Sequence, residues 1–361
     1  MFNFSELKSI HLEITNNCQA SCPMCSRNFH GGIENPLLSV NSWTINDFKD
    51  IMTKKVLDKL DYFYFCGNFG DPILNNDLLE MCDYSTQTRP DINYSIHTNG
   101  SARGINWWKD LAKVLSKNHN VVFALDGLSD THSIYRIGTN YETILRNASA
   151  FIEAGGIAEW CFIKFKHNEH QVDQARQIAK DLGFTNFTMK NSSRFVAEDK
   201  YPVLDKFGEV IYNIEPPTET VIKFIDKKIL DNYKSIVQSS VIDCFVKKDR
   251  QIYIDAYKNV FPCCWTASTP YNYINNDDMA RNIRYKILEQ YTEIISEFGG
   301  IDKLNATTHG IESILDSTAW NTIWENHFTE NKFITCARIC GSNVDISKPI
   351  DQFIENTHIQ A

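Results

Sequence analysis

The chain has 361 residues, 43% hydrophobic and 22% charged, an ordinary globular composition with room for one large domain and a smaller companion. A net charge of −9 and the lack of a long Lys/Arg run argue against a sequence-independent grip on nucleic acid. No apolar run approaches the roughly 18 residues of a membrane span, and MFNFSELKS lacks the basic and apolar regions of a signal peptide, so neither is expected.

The first half alternates β-rich runs with helical patterns. Strands are expected at 8–14, 61–66, 92–98, 121–126, 159–165 and 185–190, with helices between them at 44–58, 75–86, 105–117, 140–154 and 169–181. Thr44 and Asn140 are helix-start residues; Gly155–Gly156 and Gly183 are stops. Such alternation implies parallel βαβ units with right-handed crossovers. Six units fall short of the eight in a closed barrel, so the expected class is α/β: a partial, open (β/α)6 TIM-like barrel over 1–195, with its chemistry at the carboxyl ends of the strands. Residues 196–240, with Pro202, Pro216 and Pro217, are expected to link this barrel to a small α+β domain over 241–345. There IDCFVKKDRQIYIDAYKNVFPCCW suggests two short strands around a turn at Asp255–Lys258, and 278–298 and 311–328 suggest helices. Residues 346–361 form a polar tail in this reading.

Eleven cysteines in a chain without an export signal point to reduced thiols, metal ligands or catalysis in a cytoplasmic protein. Cys18, Cys22 and Cys25 follow the first strand in Cys-x3-Cys-x2-Cys spacing. Three thiolates on one loop make an incomplete site for a four-iron cubane, which takes four ligands, and leave one iron open. A zinc framework would more usually show a second cysteine pair downstream of Cys-x2-Cys. Three further motifs end the next strands: GNFGDP at 67–72, Thr98–Asn99–Gly100, and Asp126–Gly127. Each has a bland alternative as an ordinary turn.

Together the trio and these motifs resemble the radical S-adenosylmethionine (SAM) enzymes. The resemblance implies that Cys18, Cys22 and Cys25 hold a [4Fe–4S] cluster whose open iron takes the amino and carboxylate groups of SAM. It implies that Gly67, Asn68, Gly70 and Asp71 stand where the family has Gly-Gly-Glu-Pro against the SAM amino group. Thr98, Asn99 and Asp126 become candidate SAM contacts, as do Arg136 for the carboxylate and Asn168 for the ribose. Met24 replaces the usual aromatic before the third cysteine and is a candidate adenine contact, whereas Ala124 replaces the expected Ser of Ser-x-Asp-Gly. Reductive cleavage of SAM would then yield a 5′-deoxyadenosyl radical that abstracts hydrogen from substrate.

The distal cysteines Cys244, Cys263, Cys336 and Cys340 supply four thiols from two segments, enough for one fully ligated cluster, with zinc as the competing occupant. This arrangement resembles the Twitch version of the SPASM extension, so two [4Fe–4S] clusters are expected in all. Cys264 is either the true ligand in place of Cys263, a packed thiol, or a hydrogen-atom donor. Cys66, Cys82 and Cys161 suit buried apolar roles, and His11 and Glu13 share one face of the first strand. The resemblance implies an oxidoreductase acting on a peptide, by oxidation, crosslinking or epimerisation, or on a small molecule such as a sugar, aminocyclitol or nucleotide derivative. A flavodoxin- or ferredoxin-type protein would supply the electron. A non-catalytic metal-binding scaffold is the rival from another class.

Overall fold

The computed structural model describes residues 1–192, 194–195, 200–219, 233–271, 278–342 and 353–358. Six strands, β1 (Ser9–Leu12), β2 (Tyr62–Phe65), β3 (Asn93–Thr98), β4 (His119–Ala124), β5 (Ile157–Lys164) and β6 (Asn186–Asn191), pair in chain order and all run parallel. Each carries apolar residues at every second position, and these pack beneath the crossover helices. Ile10, Phe63, Phe65, Ile96, Phe123 and Trp160 are all fully buried there.

Local chemistry sets the helix limits. Thr44 accepts from the Asp47 N–H to start Ile45–Ile51, and Asn140 accepts from Thr143 at 2.8 Å to start Tyr141–Glu153. Gly183, at φ 87°, closes Val172–Leu182 in the left-handed conformation that suits glycine. Two expected helices are interrupted. The 44–58 stretch breaks at Met52, and Thr53 caps a second helix, Lys54–Leu57. The 311–328 stretch divides into Ile311–Leu315 and Thr318–Thr329, the latter capped by Ser317. In both cases a hydroxyl offers the backbone a competing partner.

Beyond β6 the chain departs from the expected layout. Inside 196–240, β7 (Tyr201–Leu204) and β8 (Val210–Ile214) form an antiparallel hairpin. Its Val203 and Ile214 bury against Ala20, Cys22 and Met24. β9 (Gln251–Ile254) lies parallel to β1, and β10 (Val260–Phe261) pairs antiparallel with β9. The QIYI run therefore extends the barrel sheet, burying Ile252 and Ile254 and covering the β1 edge. At the other edge β11 (Phe353–His358), within the expected tail, pairs antiparallel with β6. The order is β10-β9-β1-β2-β3-β4-β5-β6-β11, an open α/β sheet with β1 and β6 unjoined, which is the partial-barrel class expected. No helix among the described residues is long and apolar enough to cross a membrane.

Candidate active site

The cysteine loop crosses the carboxyl ends of the parallel strands. Cys22 is buried, while Cys18 and Cys25 are half-buried. Donors approach two of the sulfurs: Ala20 N lies 3.4 Å and Asn99 Nδ2 3.7 Å from Cys18 Sγ, and Arg136 Nη1 lies 4.0 Å from Cys22 Sγ. Burial pushes the Cys22 thiol up to about 11, with Arg136 opposing. Burial also raises Cys18, and Asp71 adds to the effect. Cys25 Sγ donates to the Asn68 carbonyl at 3.9 Å.

Asp71 ties two strand-end motifs together. Its Oδ1 accepts from Thr98 Oγ1 at 2.8 Å and its Oδ2 from the Asn99 N–H at 2.7 Å. Ile73 N donates to Oδ1 at 3.2 Å as well. Burial raises this carboxyl, and the three donors counter it. Asn99 Oδ1 in turn accepts from Gln19 Nε2 at 2.7 Å, so Asp71, Asn99 and the cysteine loop form one network. Both Asp71 oxygens are thus engaged by protein donors.

Glycines are obligatory in the neighbouring loop. A Cβ on Gly70 would stand 1.9 Å from the Thr15 carbonyl oxygen, and one on Gly67 would stand 2.2 Å from the Gly70 carbonyl oxygen. The loop is held by Glu13, a residue that sequence reasoning placed only on the face of a strand. Glu13 Oε1 accepts from Phe69 N at 2.7 Å and Gly70 N at 3.1 Å, and its other oxygen accepts from the Tyr253 hydroxyl. The signal was its position two residues after His11, at the mouth end of β1.

Asp126, fully buried, accepts from Ile163 N at 2.6 Å and pairs with Arg136 Nε at 2.5 Å. Burial works against the Arg136 charge, but Asp126 and Cys22 beside it outweigh that and keep it protonated. Met24 is buried beneath the loop, with Ser192 Oγ 3.3 Å from its sulfur. Asn168 stands apart from this cluster of contacts. Its Oδ1 accepts from Phe165 N at 2.7 Å and its Nδ2 donates to the Ile163 carbonyl at 3.0 Å, so it braces the turn after β5.

The distal thiols also converge. Cys244, Cys263, Cys336 and Cys340 line one small pocket whose other walls include Trp265 and Phe328. The Cys340 thiol hydrogen-bonds Cys244 and holds it below the usual thiol range, to about 7. Among the described residues, no three His, Cys, Asp or Glu side chains stand closely enough to hold a single metal ion. A four-iron cubane spreads its thiolates wider than one ion's shell, and four thiols around an otherwise apolar pocket fit such a group as a donor set. Cys264 does not line that pocket; it neighbours Cys66, Glu13, Tyr64 and Tyr253. Asn68 spans the two regions, since its Nδ2 donates to the Cys264 carbonyl at 2.8 Å.

No family model and no curated protein matches the sequence. Among solved structures, the chain is similar to anSMEcpe with bound AdoMet: 14% identity, 96% of this chain and 92% of that chain covered, TM-score 0.53. It is similar to anSMEcpe with bound AdoMet and the Cp18Cys peptide at 14% identity, covering 96% and 91% with TM-score 0.52. It is also similar to Streptococcus suis SuiB bound to precursor peptide SuiA, at 14% identity, covering 88% and 67% with TM-score 0.51. At these identities the likeness is one of fold, and the chain carries the radical SAM fold over most of its length.

Proposed function

We propose that the chain is a radical SAM oxidoreductase of the SPASM/Twitch type that modifies a peptide. The observation carrying this reading is the convergence at the barrel mouth. Cys18, Cys22 and Cys25 share one loop, and Asn99 and Arg136 direct N–H donors at two of their sulfurs. When bound, a [4Fe–4S] cluster on these thiols supplies the electron that cleaves SAM to methionine and a 5′-deoxyadenosyl radical, the hydrogen abstractor.

In this reading the chain's own groups bind and orient. Arg136, kept charged by Asp126, faces the sulfur side of the site and suits an anionic group such as the SAM carboxylate. Glu13 fixes the 67–72 loop, in which Gly67 packs directly on the Gly70 backbone and Gly70 on the Thr15 carbonyl. Asp71 acts through Thr98 and Asn99, setting where the Asn99 amide points. Cys244, Cys263, Cys336 and Cys340 would hold the second cluster, leaving Cys264 on the substrate side as a candidate hydrogen donor. A flavodoxin- or ferredoxin-type donor completes the system. A peptide substrate is favoured because anSMEcpe and SuiB, of similar fold, hold bound peptides in their solved structures.

Metal analysis and electron paramagnetic resonance of the anaerobically reconstituted protein test this. About eight irons per chain and a reduced-cluster signal that changes on adding SAM are expected. Zinc in place of iron, or a signal indifferent to SAM, would contradict it.

A further inference from the structure

The hairpin of β7 and β8 is a sheet of its own, and its two outer edges differ. Pro202 of β7 stands opposite Asn213 of β8. Proline has no N–H to give, so this pair exchanges no hydrogen bonds and both residues turn their main-chain groups outward. On the β7 side those groups are covered: His30 Nδ1 meets the Pro202 carbonyl at 3.0 Å, and Leu204 N donates to the His30 carbonyl at 2.9 Å. On the β8 side the Glu215 carbonyl, two residues beyond Asn213 and so on the same edge, accepts from Lys166 N at 3.1 Å. Pairing stops there. No described residue takes the main-chain N–H or carbonyl of Asn213.

A recess of about 550 Å³ opens along this edge. Tyr212 and Asn213 line it, with Ser133 and Ile134 of the short helix His132–Tyr135 and His167 of the turn after β5. These segments follow the carboxyl ends of β4, β5 and β6, on the rim where parallel α/β folds place their chemistry. The short helix leads directly into Arg136, and the hairpin buries Val203 and Ile214 against Ala20, Cys22 and Met24. The β8 run, VIYNI, has neither a charge nor a proline, and its Val210 and Ile211 are more than half exposed. An edge left in that state is a template for another strand.

We propose that this recess binds an uncharged, extended segment of the peptide substrate, which adds to β8 as a third strand. Main-chain pairing supplies the affinity in such additions and asks only for a chain that can extend. The wall matches an uncharged segment. Lys166 and Glu215 pair with each other at 2.5 Å, and burial lowers His167 to about 4, so it is neutral at pH 7. The volume suits a single chain rather than flush contact with a folded partner. That the strand comes from the substrate rests on the function proposed above.

Fluorescence polarisation of a labelled octapeptide of alternating Thr and Val, titrated with the holoprotein, tests this. Saturable binding is expected. It should weaken about tenfold in Asn213→Pro, which removes the outward N–H where an edge strand tolerates proline. Ser133→Trp, at an exposed helix position, fills the recess and should weaken binding as much, even where the proline variant fails to fold. The fully N-methylated octapeptide has no main-chain donors and should not bind. No saturable binding, affinity unchanged in either folded variant, or equal binding of the N-methylated peptide would overturn the proposal. So would a dimer of the chain, seen by sedimentation, that dissociates in Asn213→Pro, because a second copy would then hold the edge. Release of 5′-deoxyadenosine is read in the same preparation. Binding without release keeps the strand site and removes the radical reading, whereas release without binding removes the strand site alone.

Discussion

The side-chain amide of Asn99 lies 3.7 Å from the Cys18 sulfur, a donor aimed at a thiol from the end of a different strand. Its position is not left to a rotamer alone, because Asp71 takes the Asn99 main-chain N–H and Gln19 donates to the side-chain oxygen. Hydrogen bonds to cluster sulfurs help set reduction potential. Asn99→Leu should therefore shift the midpoint potential of the trio's cluster downward. A loss of about 1 kcal/mol corresponds to about 40 mV for one electron. A redox titration followed by electron paramagnetic resonance reads the shift.

Gly70 packs against the end of β1 so tightly that no side chain fits. Since its Cβ would meet the Thr15 carbonyl oxygen and the Asn16 Cα at 1.9 and 2.7 Å, backbone must move. Gly70→Ala should destabilise the protein by about 3 kcal/mol, the upper range for overpacking. Denaturant unfolding checks this, and Gly104→Ala is the control, because a Cβ there meets nothing within 4 Å.

His119 gives a pH signature. Its Nδ1 accepts from Ser116 N at 2.9 Å, its Nε2 faces the Ile92 carbonyl at 3.0 Å, and Tyr94 stacks on the ring at 3.7 Å. Burial lowers its pKa to about 4, against the backbone bond to Ile92. The unfolded chain thus binds this proton first, so stability from His119 is complete above about pH 6.5 and is lost as pH falls towards 4. The stability gap between wild type and His119→Gln should narrow over that window by at most about 1.4 kcal/mol per pH unit. Urea titrations at pH 7, 6 and 5 measure it.

The alternation of strands and helices was legible because period-two apolar runs and capping residues are local signals. The β1–β6 order follows from them, as does the trio at the strand ends. The pairing of β9 with β1 was not legible, since QIYI carries no mark of which distant edge it will cover. Nor was the partnership of Asp71 with Thr98 and Asn99, which are 27 and 28 residues away. Of the thiols read as apolar, Cys82 does sit in the helix-side core. Cys161 is buried on β5 as well, whereas Cys66, just past the end of β2, is half-buried.

Adjacent Cys263 and Cys264 should behave oppositely. Cys263 lines the four-thiol pocket and Cys264 does not. Cys263→Ala is expected to lower iron from about eight to about four per chain, whereas Cys264→Ala keeps about eight. If Cys264 returns hydrogen to substrate, its Ala variant loses solvent deuterium incorporation into product while SAM cleavage continues. Iron analysis and mass spectrometry separate these outcomes.

In the proposed function, the thiol trio supports reductive cleavage of SAM. The most direct measurement is 5′-deoxyadenosine formed by the anaerobically reconstituted chain with SAM and dithionite, compared with Cys22→Ala. Formation that requires both dithionite and Cys22, and falls to background in the variant, is the predicted result. No 5′-deoxyadenosine from an iron-replete wild-type protein, or equal amounts from both proteins, would contradict it.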